Sequence, residues 1–307
     1  MAPHTVFKIG GPAKFFVEAH NRDDFIAALR AAGSLGLPWM VLGAGSNVLV
    51  SDRGFPGFVV HPVGGTIRIN GHLIQADGAL SMARVAAESL KAGLSGFEWA
   101  VGVPGTIGGS ARGNAGCFGS EMKDAIRAIS VFNTVSGEVE EWAPEAAEFG
   151  YRDSIFKRRP EFAILSATLE LRPLASRREG EELVRDYTLR RSKNQDIGSQ
   201  SAGCVFKNIP WDRRDINREK LLERFPGIPP SGTVPGISAG FLIDQAGLRG
   251  YQIGGVKISE RHGNFFINAG QATAEEVVML IGLAKERVHR FCGLLLEEEI
   301  QYVGFYE

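Results

Sequence analysis

Residues 102–119 read GVPGTIGGSARGNAGCFG, with seven glycines in eighteen positions. Glycine loses more backbone freedom on ordering than any other residue, so this run is expected to be irregular, neither helix nor strand. Glycine also clears the Cβ from the path of an anion and permits turns with φ > 0 that aim successive amides inward. Two readings follow: a pyrophosphate-binding loop, or a tight structural loop. Pro104, Thr106, Ser110 and Asn114 among the glycines favour the ligand. The surplus is global, since glycine supplies 39 of 307 residues where roughly 7% is usual. The glycines have no triplet period, which excludes collagen. With 44% apolar residues the chain can bury a core, so it reads as ordered with many tight turns.

A length of 307 residues favours two domains. The formal net charge of -1 gives no reason to expect a nucleic-acid partner. No apolar run is long enough to span a bilayer, and the N-terminus lacks a basic region followed by an apolar segment. Cys117, Cys204 and Cys292 are odd in number and widely spaced, which fits neither a zinc site nor a disulfide framework. A cytoplasmic monomer acting on small molecules, with no nucleic-acid, membrane or metal partner, is the expectation.

Strand and helix signals alternate in the first third. Residues 15–19 read as a strand, and Asn21 with Asp24 three positions on is an N-cap signature for a helix ending near Gly33. Residues 39–42 read as a short buried strand, broken at 43–47, and 48–50 as another. Strands are expected near 66–69 and 73–76, then a helix capped by Ser81 and stopped by Gly93. Residues 129–132, 139–142 and 164–171 read as strands, with a hairpin turn at Ser136 and Gly137. A charged helix is expected around 181–191. Residues 209–238 are polar and proline-rich, and read as an ordered surface loop. Thr273 and Glu276 form a capping box for the clearest helix, whose apolar face is Val277, Leu280, Ile281, Ala284, Val288 and Phe291, ended by Gly293.

Several side chains outside the glycine run have both a chemical and a structural reading. Residues 43–47, GAGSN, follow a strand as a dinucleotide turn does. The third glycine of that motif is lacking, however, and a strand follows, so a standard Rossmann site is disfavoured. Arg152 can clamp a carboxylate or phosphate with its planar fork, or pair at the surface with Asp153 or Glu148. Cys204 is either a buried inert thiol or a proton donor or nucleophile. His262 lies in a polar loop and is a ligand contact or a solvated ring. Glu297, Glu298 and Glu299 precede a terminal strand at 300–303. They read either as a solvated run or, by alternation, with Glu298 facing away from its neighbours.

Taken in order, the motifs resemble one family, the UDP-N-acetylenolpyruvoylglucosamine reductases. The matching stretches are HTxFxIGGPA at 4–13, LGAGSNVLVSD at 42–52, GVPGTIGG at 102–109, NAGxxG at 114–119 and YRDSxF at 151–156. They continue with AGCVFKN at 202–208, LIDxAGLxG at 242–250, SExH at 259–262 and LExEI at 296–300. The resemblance implies an α+β fold, with a two-subdomain FAD-binding region over 1–173 (about 1–60 and 61–173) and a substrate-binding domain over 174–307. It implies FAD and NADPH as cofactors and an enolpyruvyl sugar nucleotide as substrate. By the same resemblance Leu42, Gly43, Ala44, Gly45, Ser46 and Asn47 surround the FAD pyrophosphate. So do Gly102, Pro104, Gly105, Thr106, Gly108, Gly109, Asn114 and Gly116. Lys207, Asn208 and His262 meet the substrate, and Arg191 or Lys193 lies near a diphosphate.

In the reaction that this family implies, a hydride reaches C3 of the enolpyruvyl group and a proton reaches C2. A cation beside the developing charge suits Arg152, and a carboxylic acid kept protonated by burial suits Glu299. The family pattern has Ser as the proton donor where this sequence has Cys204. A thiol with a pKa near 8.5 is a stronger acid than an alcohol, so Cys204 reads as a working replacement. The first motif starts at His4, which nearly removes the family's short leader, and residues 156–193 leave little room for the substrate-capping Tyr loop of one subtype. Two rival readings are an FAD-linked alcohol oxidase and a non-catalytic flavin or sugar-nucleotide binding protein. Under the reductase reading NADPH should bleach the flavin and simple alcohols should not.

Overall fold

The computed structural model describes residues 1–194, 196, 198–213, 216–228 and 236–305. Two compact units share the chain. The first comprises Ala13–Ala44 and Pro56–Arg191, and the second Met1–Pro12, Gly45–Phe55 and Ser192–Glu307. The chain thus passes between units at 191/192, where a single linear boundary at 173 is the sequence expectation. The N-terminal segment and residues 45–55 belong with the C-terminal half.

The first unit begins with a three-stranded sheet in the order Ala13–Ala19, Phe55–Pro62, Trp39–Val41. Helix α1 (Arg22–Ser34) follows the first strand because Asn21 accepts the Asp24 N–H at 2.9 Å. The helix buries Phe25, Ala28, Leu29 and Ala32. The strand Trp39–Val41 is not the buried one expected. It lies at the sheet edge, and Val41 is exposed there. A five-stranded antiparallel sheet runs Glu138–Trp142, Ile126–Asn133, Phe162–Glu170, Leu73–Asp77, Ile67–Asn70. Helix α2 (Met82–Lys91) starts where Ser81 accepts the Arg84 N–H.

The glycine-rich segment is more regular than its composition suggests. It contains helix α3 (Ile107–Arg112) and a short hairpin, Gly116–Cys117 against Ser120–Glu121. Glycine is a poor helix former, but Thr106 caps α3 by accepting the Gly109 N–H at 3.2 Å. Ile107 and Ala111 anchor it in the core. Fully burying a side chain the size of Ile107 contributes about 1.5–3 kcal/mol, enough to offset two helical glycines. Helices α4 (Ile155–Arg158) and α5 (Arg177–Asn194) complete this unit, whose core is built on Trp99, Phe97, Phe156, Ile129 and Val131.

In the second unit a four-stranded antiparallel sheet runs Ser201–Cys204, Phe265–Asn268, Val256–Ile258, Gln252–Ile253. The strand Val48–Val50 pairs in parallel with Gln301–Val303. Helices α6 (Arg218–Arg224), α7 (Ala239–Gln245) and α8 (Ala274–Cys292) pack around these. The Thr273–Glu276 capping box forms as expected, and Gly293 closes α8 in the left-handed conformation. The 209–238 stretch is not a surface loop in its described part. Ile209, Leu221, Phe225, Ile228 and Ile237 are buried core residues, and the Phe225 and Phe291 rings lie 4.8 Å apart. Leu221, Phe225 and Ile228 fall at i, i+4 and i+7, a short helical period over and just beyond α6 that the surrounding polar and proline residues conceal. Residues 214, 215 and 229–235 lie outside the described residues. No described helix is long and apolar enough to cross a membrane.

Candidate functional site

In the first unit the two glycine segments meet. A Cβ on Gly43 would stand 2.6 Å from Thr106 Oγ1, so the 43–44 turn and the start of α3 touch with no room for a side chain. Leu42, just before the turn, is buried; its N–H bonds the Val60 carbonyl, and its own carbonyl lies 2.8 Å from His61 Nδ1. His61 Nδ1 is therefore the protonated nitrogen. Not every amide of the segment is available to an anion. Ile107 N–H donates to Leu80 and Gly108 N–H to Gly78, at 2.8 and 2.9 Å, while Gly109 N–H serves the Thr106 cap. Gly108 is small because of the Gly78 backbone beside it. Ala44, Gly102, Pro104 and Gly109 are exposed and Gly105 is half-buried. Together they leave a surface largely of backbone, which an elongated dinucleotide can approach.

Asp153 and Glu148 both pair with Arg158. Arg152 sends Nη2 to the Gly116 carbonyl at 2.7 Å and Nη1 toward the Asn114 carbonyl at 3.5 Å. Asn114 is fully buried. Arg191 joins the same segment, donating from Nη2 to Cys117 Sγ at 3.2 Å with its guanidinium over the Phe118 ring. Burial pushes the Cys117 thiol pKa up, against the opposing pull of Arg191.

In the second unit, Cys204, Lys207, Asn208, His262, Glu299 and Asn47 come together through backbone. Glu299 N–H donates to the Val205 carbonyl at 2.7 Å, one residue from Cys204. Asn47 Nδ2 donates to the Glu299 carbonyl at 3.2 Å, and Gln301 N–H donates back to the Asn47 carbonyl at 2.9 Å. The three glutamates diverge. Glu297 pairs with Lys207 and Glu298 with Lys285 at 2.9 Å, while Glu299 follows Val205. Asn208 Oδ1 accepts the Ala239 N–H at the start of α7. Gly45 and Ser46 continue the 43–47 turn into this unit, with the Gly45 carbonyl accepting the Val6 N–H at 3.0 Å. His262 is held by the Asn264 N–H, which donates to Nδ1 at 3.2 Å. That bond makes Nε2 the protonated nitrogen of the neutral ring. Burial lowers the His262 pKa, while Asp244 pulls the other way.

Two family models match the chain: an FAD binding domain over residues 13–142, and the UDP-N-acetylenolpyruvoylglucosamine reductase C-terminal domain over residues 195–303. A UDP-N-acetylenolpyruvoylglucosamine reductase of Synechococcus sp. (strain JA-3-3Ab) is 35% identical, over 100% of this chain and 90% of its own length. The chain belongs to the UDP-N-acetylenolpyruvoylglucosamine reductase family. A reductase of the same name from Caldicellulosiruptor bescii is 37% identical over 99% of this chain and 88% of its own. The crystal structure of the Thermus caldophilus UDP-N-acetylenolpyruvylglucosamine reductase superposes with a TM-score of 0.78 at 31% identity, covering 98% of this chain and 96% of that one. As a member of the UDP-N-acetylenolpyruvoylglucosamine reductase family, the chain is an FAD-dependent oxidoreductase of peptidoglycan precursor synthesis.

Sequence reasoning missed one residue that shapes this reductase's second unit. Asn264 is buried and pairs like a peptide with Phe206, accepting its N–H at 2.9 Å and donating to its carbonyl at 2.7 Å. It thereby fixes the backbone between Cys204 and Lys207 and, through its own N–H, the His262 ring. The only signal was an amide side chain just before the strand Phe265–Asn268.

Proposed function

We propose that the chain reduces UDP-N-acetyl-3-O-(1-carboxyvinyl)glucosamine to UDP-N-acetylmuramate with NADPH, as a cytoplasmic monomer serving cell-wall growth, shape and division. FAD, once bound, would supply the hydride-transfer chemistry between NADPH and C3 of the enolpyruvyl group. Arg152 places a fixed cation against the substrate carboxylate, where negative charge develops as C3 is reduced. Glu299, held protonated, donates a hydrogen bond to the same group. Cys204 gives its proton to C2: the S–H bond breaks, a C–H bond forms, and solvent reprotonates the thiolate. Lys207, Asn208 and His262 hold the sugar nucleotide. Residues 42–47, with Gly102, Pro104, Gly105, Thr106, Gly108, Gly109 and Gly116, carry the FAD.

The observation that carries this reading is the joining of the Cys204 and Glu299 segments by the 2.7 Å bond from Glu299 N–H to Val205, in a chain whose full-length relatives bear this activity in their names. The deciding experiment is NADPH oxidation by FAD-loaded protein with and without the enolpyruvyl nucleotide. Substrate-dependent turnover is the expected result. Zero turnover would leave a binding protein, and flavin bleaching by simple alcohols would leave an oxidase.

A further inference from the structure

We infer that Asn114 is a positioning residue for Arg152, latching the turn that carries Arg152 onto the turn that receives its guanidinium. The inference rests on the proposed reading of Arg152 as the cation that meets the substrate carboxylate. The two turns grip each other from both sides. Asn114 Nδ2 donates to the Gly150 carbonyl at 2.8 Å, two residues before Arg152. Arg152 answers with bonds to the carbonyls of Gly116 at 2.7 Å and Asn114 at 3.5 Å.

The rest of the Asn114 side chain anchors the latch. Nδ2 also donates to Glu121 Oε2 at 2.9 Å, and Oδ1 accepts the Lys123 N–H at 3.1 Å. Its backbone N–H is bonded to the Ala111 carbonyl. An amide has two hydrogens to give, and both are given inside the protein, on a side chain with no exposed surface. Asn114 therefore has no donor left for a cofactor, although its sequence segment places it there.

Backbone conformation is the independent observation. Asn114 and Arg152 both lie in the left-handed region, at φ 42° and 55°. Non-glycine residues stay there only where their surroundings hold them, and asparagine is among the side chains that tolerate the region best. A φ of 55° sets the direction in which the Arg152 side chain leaves the backbone, and Lys157 Nζ fixes the adjoining carbonyl at 2.6 Å. In the same turn Arg158 pairs with Asp153 and Glu148.

The test uses FAD-loaded wild type, Asn114→Gly, Arg152→Lys and the double variant. Glycine keeps the positive φ and removes only the amide. Rapid mixing reads flavin reduction by NADPH and flavin reoxidation by the enolpyruvyl sugar nucleotide. Misplacement of a group by about 1 Å costs on the order of 100-fold, so Asn114→Gly should slow reoxidation about 10- to 100-fold and change reduction by less than about 3-fold. A residue acting only through Arg152 adds nothing once Arg152 is changed, so the double variant should reoxidise like Arg152→Lys. Wild-type reoxidation in Asn114→Gly, or a double variant slowed by the product of the two single effects, overturns the inference. Guanidinium ¹⁵N NMR, assigned with Arg152→Lys, decides the latch even if the wild type proves inactive. An Arg152 signal unchanged by Asn114→Gly overturns it, and a signal broadened or shifted supports it. Asn114→Asp, which keeps the Lys123 bond but cannot donate to Gly150, serves the same measurements if the glycine variant does not retain flavin.

Discussion

Asp52 caps α8 from 222 residues away, its Oδ1 accepting the Ala274 N–H at 2.9 Å and its Oδ2 the Glu275 N–H at 3.1 Å. The first-turn amides of a helix have no partner within it, and an anion at that end is favoured by the helix dipole. Thr273 satisfies the next amide, at Glu276. The cap fastens the segment after the strand Val48–Val50 to the helix whose Val277, Leu280, Ile281 and Val288 build the core. Asp52→Ala should lower the unfolding free energy by about 1–2 kcal/mol. Asp52→Asn keeps an acceptor and loses the charge, so its loss should be under about 1 kcal/mol. Urea unfolding of the holoenzyme checks both, and an unshifted midpoint for Asp52→Ala would show that the cap contributes nothing.

Gly45 combines a left-handed backbone, φ 62°, with a Cβ position that runs into the His4 carbonyl and stands 2.8 Å from Thr5 Cα. Gly36 has nearly the same φ, 61°, with nothing within 4 Å. The pair separates conformational strain from close packing. Gly36→Ala should cost about 1 kcal/mol, the strain alone. Gly45→Ala should cost about 2–4 kcal/mol, because backbone must move as well. Equal losses in thermal or urea unfolding would mean that the 4–6 segment simply yields.

Helix signals were the most legible part of the chain. Asn21, Ser81 and Thr273 all cap where the sequence places them, because a cap depends on a few adjacent residues. The glycine-rich segment was half legible. Its composition announced tight turns, and Gly102, Gly105 and Gly119 take positive φ there, but it did not announce α3, which depends on Ile107 reaching a distant core. The 209–238 stretch misled for the same reason. Phe225 finds Phe291 across the fold, and the short period of Leu221, Phe225 and Ile228 does not reveal that pairing. The partner of Arg152 was also out of reach. The carbonyls of Gly116 and Asn114 lie 36 and 38 residues away along the chain, and no adjacent residue points to them. The passing of the chain between units at 12, 44, 55 and 191 has no compositional mark at all.

His262 should make the protein less stable in acid. Burial, the larger influence, lowers its pKa below the ordinary 6.5, with Asp244 opposing. Below about pH 6.5 the unfolded chain therefore takes up a proton that the folded chain resists, and stability falls with falling pH through that window. Above it both states are neutral and the contribution is flat. The Asn264 N–H on Nδ1 adds to the resistance, since protonation would remove the acceptor. Comparing unfolding of wild type and His262→Gln at pH 7.5 and 5.5 isolates the effect, because the other histidines cancel. The variant should lose less stability between the two values than the wild type. An equal loss would mean that His262 protonates in the folded state as freely as in the unfolded one.

Cys204 carries the prediction most specific to this sequence. A positioned general acid typically contributes 10²–10⁴-fold. Cys204→Ala should therefore slow reoxidation of the reduced flavin by the enolpyruvyl nucleotide by at least about 100-fold, with NADPH-driven reduction left intact. Cys204→Ser restores the hydroxyl donor of the family pattern, and should keep turnover within about 10-fold of wild type, since an alcohol is the weaker acid but fills less space. The thiol also brings a liability that the hydroxyl lacks. Thiols oxidise through the thiolate, and burial pushes the pKa of both Cys117 and Cys292 up, away from that form. Peroxide should inactivate the wild type reversibly by dithiothreitol and spare Cys204→Ser. Turnover surviving in Cys204→Ala, or peroxide sensitivity persisting in Cys204→Ser, would move the proton donor or the reactive thiol to another residue.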